Sequence, residues 1–261
     1  MQEITSNEQK KVLIDLLRYF DKFCKKYNII YSLGGGTLIG AVRHKGFIPW
    51  DDDIDIYIHY DEYDKLRKYW KNSENIYMED IYDRNCRYFY FLAKIYNKNY
   101  LIEDYEGQRC PFFLDIFIYD YIPNDIDLVR KTAKKIKFLR KLIRSFVKRS
   151  EEFAFLSKLC ICCSKYLNKQ LDKTLKNWRS TYTNNSCENI ALFISECSEW
   201  NNSIMHKKYF SKTIDLYFED EKYPCMNGYD EHLRKYYGNY MKLPPEDQRT
   251  PKHGFKFYKL Y

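Results

Sequence analysis

The chain has 261 residues, is unusually rich in tyrosine and carries a net charge of +8. That length suffices for one well-buried domain, or one domain with a large insertion. It contains no run of about 18 apolar residues, which excludes a transmembrane helix, and no charged-then-apolar leader opens it. Nine cysteines, an odd number at irregular spacing, fit a reducing compartment better than a disulfide framework, so a soluble cytoplasmic protein is expected.

Ser6 with Gln9 reads as a capping box opening a helix over 7–27, with Leu13, Leu16, Leu17, Phe20, Phe23 and Cys24 as its apolar stripe. Ile29 to Tyr31 reads as the end of a short strand. Gly34, Gly35 and Gly36 follow, and a ligand can lie against the amides of residues without a Cβ. Thr37 to Val42 is mostly apolar, which predicts a short helix whose amino end favours an anion. From Asp53 the chain alternates as Asp-Ile-Asp-Ile-Tyr-Ile. Period two predicts a strand with Ile54, Ile56 and Ile58 inward and Asp53 and Asp55 together on the other face. Two adjacent carboxylates repel, and a hard cation such as Mg2+ relieves that repulsion while binding substrate phosphates. Acids on so apolar a strand need a partner, because buried unpaired charge is costly.

Tyr60 to Trp70 predicts a second helix, and 87–96 a strand in which Lys94 is either a snorkelling edge residue or a phosphate ligand. Asp115 lies inside the apolar run 111–120 and again calls for a partner, whereas Asp120 reads as a turn residue. Between Leu128 and Ser150 there are ten Lys or Arg and no acid, so the positive charge is localised. Apolar residues recur there at Val129, Ala133, Ile136, Leu139, Ile143 and Phe146. Such a helix either lies on anionic lipid or packs on the domain with a solvated basic face. Helix is expected to continue over 151–178. Cys160, Cys162 and Cys163 match no zinc spacing and read as small core residues. Residues 180–203 are polar and loop-rich. Asp215 to Phe218 reads as a short strand, and Gly228-Tyr229-Asp230 leads a helix that Gly238 stops.

The stretch GGGTLIGAVRHKGFIPWDDDIDI resembles the LicD family, phosphocholine transferases of bacterial surface glycans with fukutin-type relatives in the nucleotidyltransferase superfamily. YDEHLRKYYGNYMKLPPEDQR with the later His253 is similar to it too. The resemblance covers roughly 4–120 and 215–253. It implies an α+β fold, a nucleotidyltransferase-like mixed sheet flanked by helices. The whole chain, 1–261, would be one catalytic domain with a basic helical insertion at about 125–180. It further implies that Asp53, Asp55 and Asp115 hold Mg2+ or Mn2+ and carry catalysis, with Asp115 accepting the proton of the attacking hydroxyl. Gly35, Gly36, Thr37, Arg43, His44, Lys45 and Lys94 would contact the donor. That donor would be a CDP-linked alcohol, most simply CDP-choline. The acceptor would be a glycan or glycolipid of lipopolysaccharide, teichoic acid or capsule, with peripheral contact at the anionic inner membrane face and no nucleic acid. Nucleotidyl transfer from a nucleoside triphosphate and a non-catalytic glycan-binding role are the alternatives.

Overall fold

A computed structural model describes residues 1–80, 92–104, 107–152, 155, 157–195, 200–251 and 254–260. It is a mixture of helix and sheet, as expected, and it divides into two compact units.

The first unit takes in Met1–Ile81, Leu92–Ile118 and Lys208–Tyr261. Its first helix, α1 (Ser6–Tyr27), begins one residue earlier than the sequence suggests, and the cap is Thr5 rather than Ser6. The Thr5 hydroxyl accepts from Glu8 N at 3.3 Å, and the Glu8 carboxylate accepts from Thr5 N at 2.8 Å. Glutamate completes the box better than Gln9 because a charged acceptor at the amino end also meets the helix dipole. The expected apolar stripe is buried through Leu13, Leu16, Leu17, Phe20 and Cys24. Asn28, in the left-handed conformation, ends the helix.

The sheet of this unit runs β1 (Gln2–Glu3), β11 (Lys256–Lys259), β5 (Ala93–Glu103), β6 (Arg109–Ile122), β3 (Asp55–His59) and β2 (Tyr31–Leu33). β4 (Ile76–Glu79) also pairs with β5. Of the strand expected over 87–96, residues 87–91 lie outside the described residues, and the described strand runs on to Glu103. β2 and β3 are antiparallel, with Leu33 opposite Ile56 and Tyr31 opposite Ile58. Ile54, Ile56 and Ile58 are buried as the alternation requires, but so are Tyr57 and His59. Both faces of β3 are therefore covered. α3 (Tyr60–Tyr69) follows, capped by His59 Nδ1, which accepts from Asp61 N. β9 (Thr213–Phe218) and β10 (Glu221–Met226) form an antiparallel hairpin, and α6 (Tyr229–Tyr237) ends at Gly238, φ +67°.

The second unit includes Tyr119–Lys207. Within it the end of β6 pairs with β7 (Asn189–Ala191), which pairs with β8 (Met205–His206). Asp120 is therefore not a turn residue. It lies in the strand, 1% exposed, and accepts from Arg179 Nε at 2.6 Å and Nη2 at 3.1 Å. α4 (Ile126–Glu152) and α5 (Ser157–Thr181) are two helices, where the sequence suggests one continuous run. Val129, Ala133, Ile136, Leu139 and Ile143 of α4 share a core with Leu171, Leu175 and Trp178 of α5 and with Phe193 and Trp200. The apolar stripe of the basic helix is thus buried in protein, which removes it as a lipid-facing surface. Cys160 is in the core as expected, but Cys162 is exposed. His253 lies outside the described residues.

Candidate active site

The glycine turn and the acids meet in the first unit. α2 (Gly35–Ile39) starts at the glycines, two residues before the expected Thr37, and passes into a π-helical turn over Gly40–His44. Gly34 N donates to Asp55 O at 2.9 Å, and Asp55 N donates to Thr37 Oγ1 at 2.9 Å. These two bonds lock the glycine turn against the first residue of β3. Thr37 is buried, so its hydroxyl orients Asp55. The contact is close: a Cβ on Gly35 would stand 2.1 Å from Asp55 Oδ2, and one on Gly36 would stand 2.6 Å from Asp51 Oδ2. Only hydrogen fits at either position, and Gly35 also has φ +47°.

Asp53 precedes β3 in an extended segment rather than lying within the strand. Carboxylate oxygens of Asp51, Asp52 and Asp53 all lie within 4.8 Å of one another. Asp55 keeps part of its surface accessible, yet its carboxyl is densely surrounded. Burial first, then the charges of Asp53, Asp115 and Asp51, hold its pKa well above the usual carboxylate range, with Lys94 opposing. Four carboxylates thus act on one small volume. Oxygen-only donors gathered there fit a hard divalent cation. Sequence reasoning assigned no role to Asp51. Its signal was the three-aspartate run, which on its own reads as a solvated loop.

Asp115 enters from β6, the neighbour of β3, and its N donates to Ile54 O at 3.0 Å. Lys94 is directly opposite on β5. The two side chains form an ion pair, and the ammonium also sits 3.4 Å from the centre of the Phe113 ring. Lys94 is buried, so it is not a snorkelling edge residue. A half-buried carboxylate next to other carboxylates is stabilised by such a partner.

Arg43, His44 and Lys45 lie at the end of the π-helical turn. Arg43 Nε donates to His44 Nε2 at 2.9 Å, and its Nη1 donates to the Tyr240 and Lys242 carbonyls. Its fork is engaged by main chain, which ties this turn to the loop after α6. His44 is held below its ordinary pKa, by burial and then by the Arg43 charge, so it stays a neutral acceptor for Arg43. Lys45 is exposed. The Tyr57 ring packs over Gly34 and meets His232 of α6 edge-on at 5.6 Å.

The family described as LicD/FKTN/FKRP, nucleotidyltransferase domain, matches residues 28–159. Over 269 aligned positions the chain is 41% identical to lipopolysaccharide cholinephosphotransferase LicD of Haemophilus influenzae, covering 100% of both proteins. An uncharacterized protein of Rickettsia typhi is 35% identical over 147 residues, 51% of this chain and 41% of that one. Mannosyltransferase regulator 4 of Saccharomyces cerevisiae is 34% identical over 82 residues, 31% of this chain and 7% of that one. The full-length alignment takes in 121–214 as well, so the basic helices do not fall outside the likeness. The glycine turn, the aspartate cluster and Asp115 all lie inside the family match. The chain belongs to the LicD/FKTN/FKRP nucleotidyltransferase-domain family.

Proposed function

We propose that this protein transfers phosphocholine to lipopolysaccharide. The observation that carries the reading is the 41% identity, over both full lengths, to an enzyme named for that activity. The donor is CDP-choline, and the ion is Mg2+ or Mn2+, held by Asp53 and Asp55 with Asp51 and Asp115 beside them. When bound, the ion neutralises charge on the transferred phosphate. The sheet carrying Asp55 and Asp115 is nucleotidyltransferase-like, with these two acids on adjacent strands and Asp51 and Asp53 in the segment before β3.

The protein's own groups divide the remaining work. The Gly35 and Gly36 backbone lies against the donor pyrophosphate, and Thr37 fixes Asp55. Lys94 orients Asp115 and offsets part of the local negative charge. Lys45 offers a cation to the phosphate, while Arg43 and His44 position the turn that carries it. An acceptor hydroxyl oxygen bonds to the phosphorus that bears choline. The bond from that phosphorus to the bridging oxygen breaks, CMP leaves with the electron pair, and the hydroxyl proton passes to Asp115. The acceptor is lipid-borne. This reading therefore includes peripheral attachment at an anionic inner membrane face, to which the exposed lysines of α4 contribute charge.

The test is release of CMP from CDP-choline with a lipopolysaccharide acceptor and Mg2+. Asp53→Asn should lower turnover by about 10²–10³-fold with the fold retained. Near-normal turnover in that variant at saturating Mg2+ would remove this cluster from the chemistry. Pyrophosphate release from a nucleoside triphosphate, with no CMP from CDP-choline, would establish nucleotidyl transfer instead.

A further inference from the structure

We infer that the outward face of α5 docks the protein on an anionic lipid surface. The most exposed large apolar side chains among the described residues include Phe155 (83%), Leu159 (63%) and Tyr166 (63%), all within twelve residues. Leu159 and Tyr166 are seven apart, two helical turns, and so stand on one side of α5. Cys162 is exposed on the same arc, while the exposed Ile161 stands at the other edge of the outward side. The opposite arc carries Cys160, Leu171, Leu175 and Trp178, which are buried. The inner face is used by the fold, and the outward side sets Leu159 and Tyr166 beside a lysine-bearing strip.

The charge pattern selects the occupant. From Phe155 to Leu171 the sequence holds Lys158, Lys165 and Lys169 and no acid. All three lysines are exposed, and helical spacing puts them among the apolar residues of the outer arc. The neighbouring α4 adds exposed Lys134, Lys137 and Lys141. A second copy of the chain would bring like charge against like charge. A bilayer interface with anionic headgroups accepts both components: headgroups take the lysines, the acyl boundary takes Leu159, and Tyr166 beside it suits the boundary between them. The inference deepens the reading of a lipid-borne acceptor, yet it can fail or hold separately, because vesicle binding is measured without donor or turnover.

The experiment is co-sedimentation of the full chain with phosphatidylcholine vesicles, with and without phosphatidylglycerol, at low and at high salt. Pelleting is expected with the anionic vesicles only. It should weaken about ten-fold in the double variant Leu159→Ser/Tyr166→Ser, since each side chain contributes apolar area at the interface. A similar loss is expected in Lys158→Gln/Lys165→Gln/Lys169→Gln. Tyr217→Ser, which alters another exposed tyrosine, in the first unit, should bind as the wild type does. CMP release with a short soluble acceptor should be unchanged in all of these variants, which also shows that they fold. Wild-type binding in the Leu159/Tyr166 variant would overturn the inference and leave only the charge of α4. Failure to pellet at all would overturn it outright. Self-association abolished by the same substitutions, without vesicle binding, would assign the face to a second copy.

Discussion

At Gly35 the backbone adopts φ +47° with the Asp55 carboxylate filling the space a side chain would take. Gly35→Ala therefore carries two costs. The left-handed conformation alone amounts to about 1–2 kcal/mol for a residue with a Cβ. Relieving the 2.1 Å approach must also displace Asp55. The expected outcome is a modest fall in the chemical-denaturation midpoint and a disproportionate loss of turnover, read as CMP release. Gly107 has φ +77° but nothing within 4 Å of its missing Cβ, so Gly107→Ala should change stability without touching activity. At this scale the sequence was legible where residue type is restrictive. Three glycines followed by Asp-Ile-Asp-Ile predict a turn open to a ligand ahead of paired acids, but not that Gly35 and Gly36 pack on the Asp55 and Asp51 carboxylates themselves. It was not legible at Arg43, whose guanidinium suits phosphate and peptide carbonyls equally well and here holds the latter.

Helix α4 shows what periodicity can and cannot say. The spacing of Val129, Ala133, Ile136, Leu139 and Ile143 identifies an inward face, and these residues are buried. The same 3.6-residue repeat would serve lipid or protein, so it could not name the partner, which is α5. Asp120 was misread for a related reason. An Asp after an apolar run commonly marks a turn, and its partner Arg179 lies 59 residues on, beyond any local pattern. Because both groups are buried, Asp120→Ala should destabilise by about 3–5 kcal/mol by leaving the guanidinium uncompensated. The double variant Asp120→Ala/Arg179→Met should recover much of that loss. Urea unfolding of the two variants checks both expectations. The short strands β1, β4, β7 and β11 escaped notice because two to four residues give too little alternation to register.

For the whole molecule, His232 predicts a distinctive response to acid. Burial first, and the Lys235 charge second, depress its pKa from 6.5 to about 4. Unfolded, the imidazole protonates near its ordinary value; folded, it resists until about pH 4. The unfolded state thus binds the extra proton across that window, and stability falls as pH drops through it. Between pH 7 and pH 5 this group alone accounts for about 2 kcal/mol. Denaturation at the two pH values should show a smaller difference in His232→Gln than in the wild type, whatever the variant's own baseline; an equal difference would mean that other groups govern the acid limb. A last consequence follows from the pairing of β1 with β11, Gln2 opposite Lys259. Adjacent strands stand about 4.8 Å apart, so β1 is held in the sheet through β11, and loss of β11 would release β1 as well.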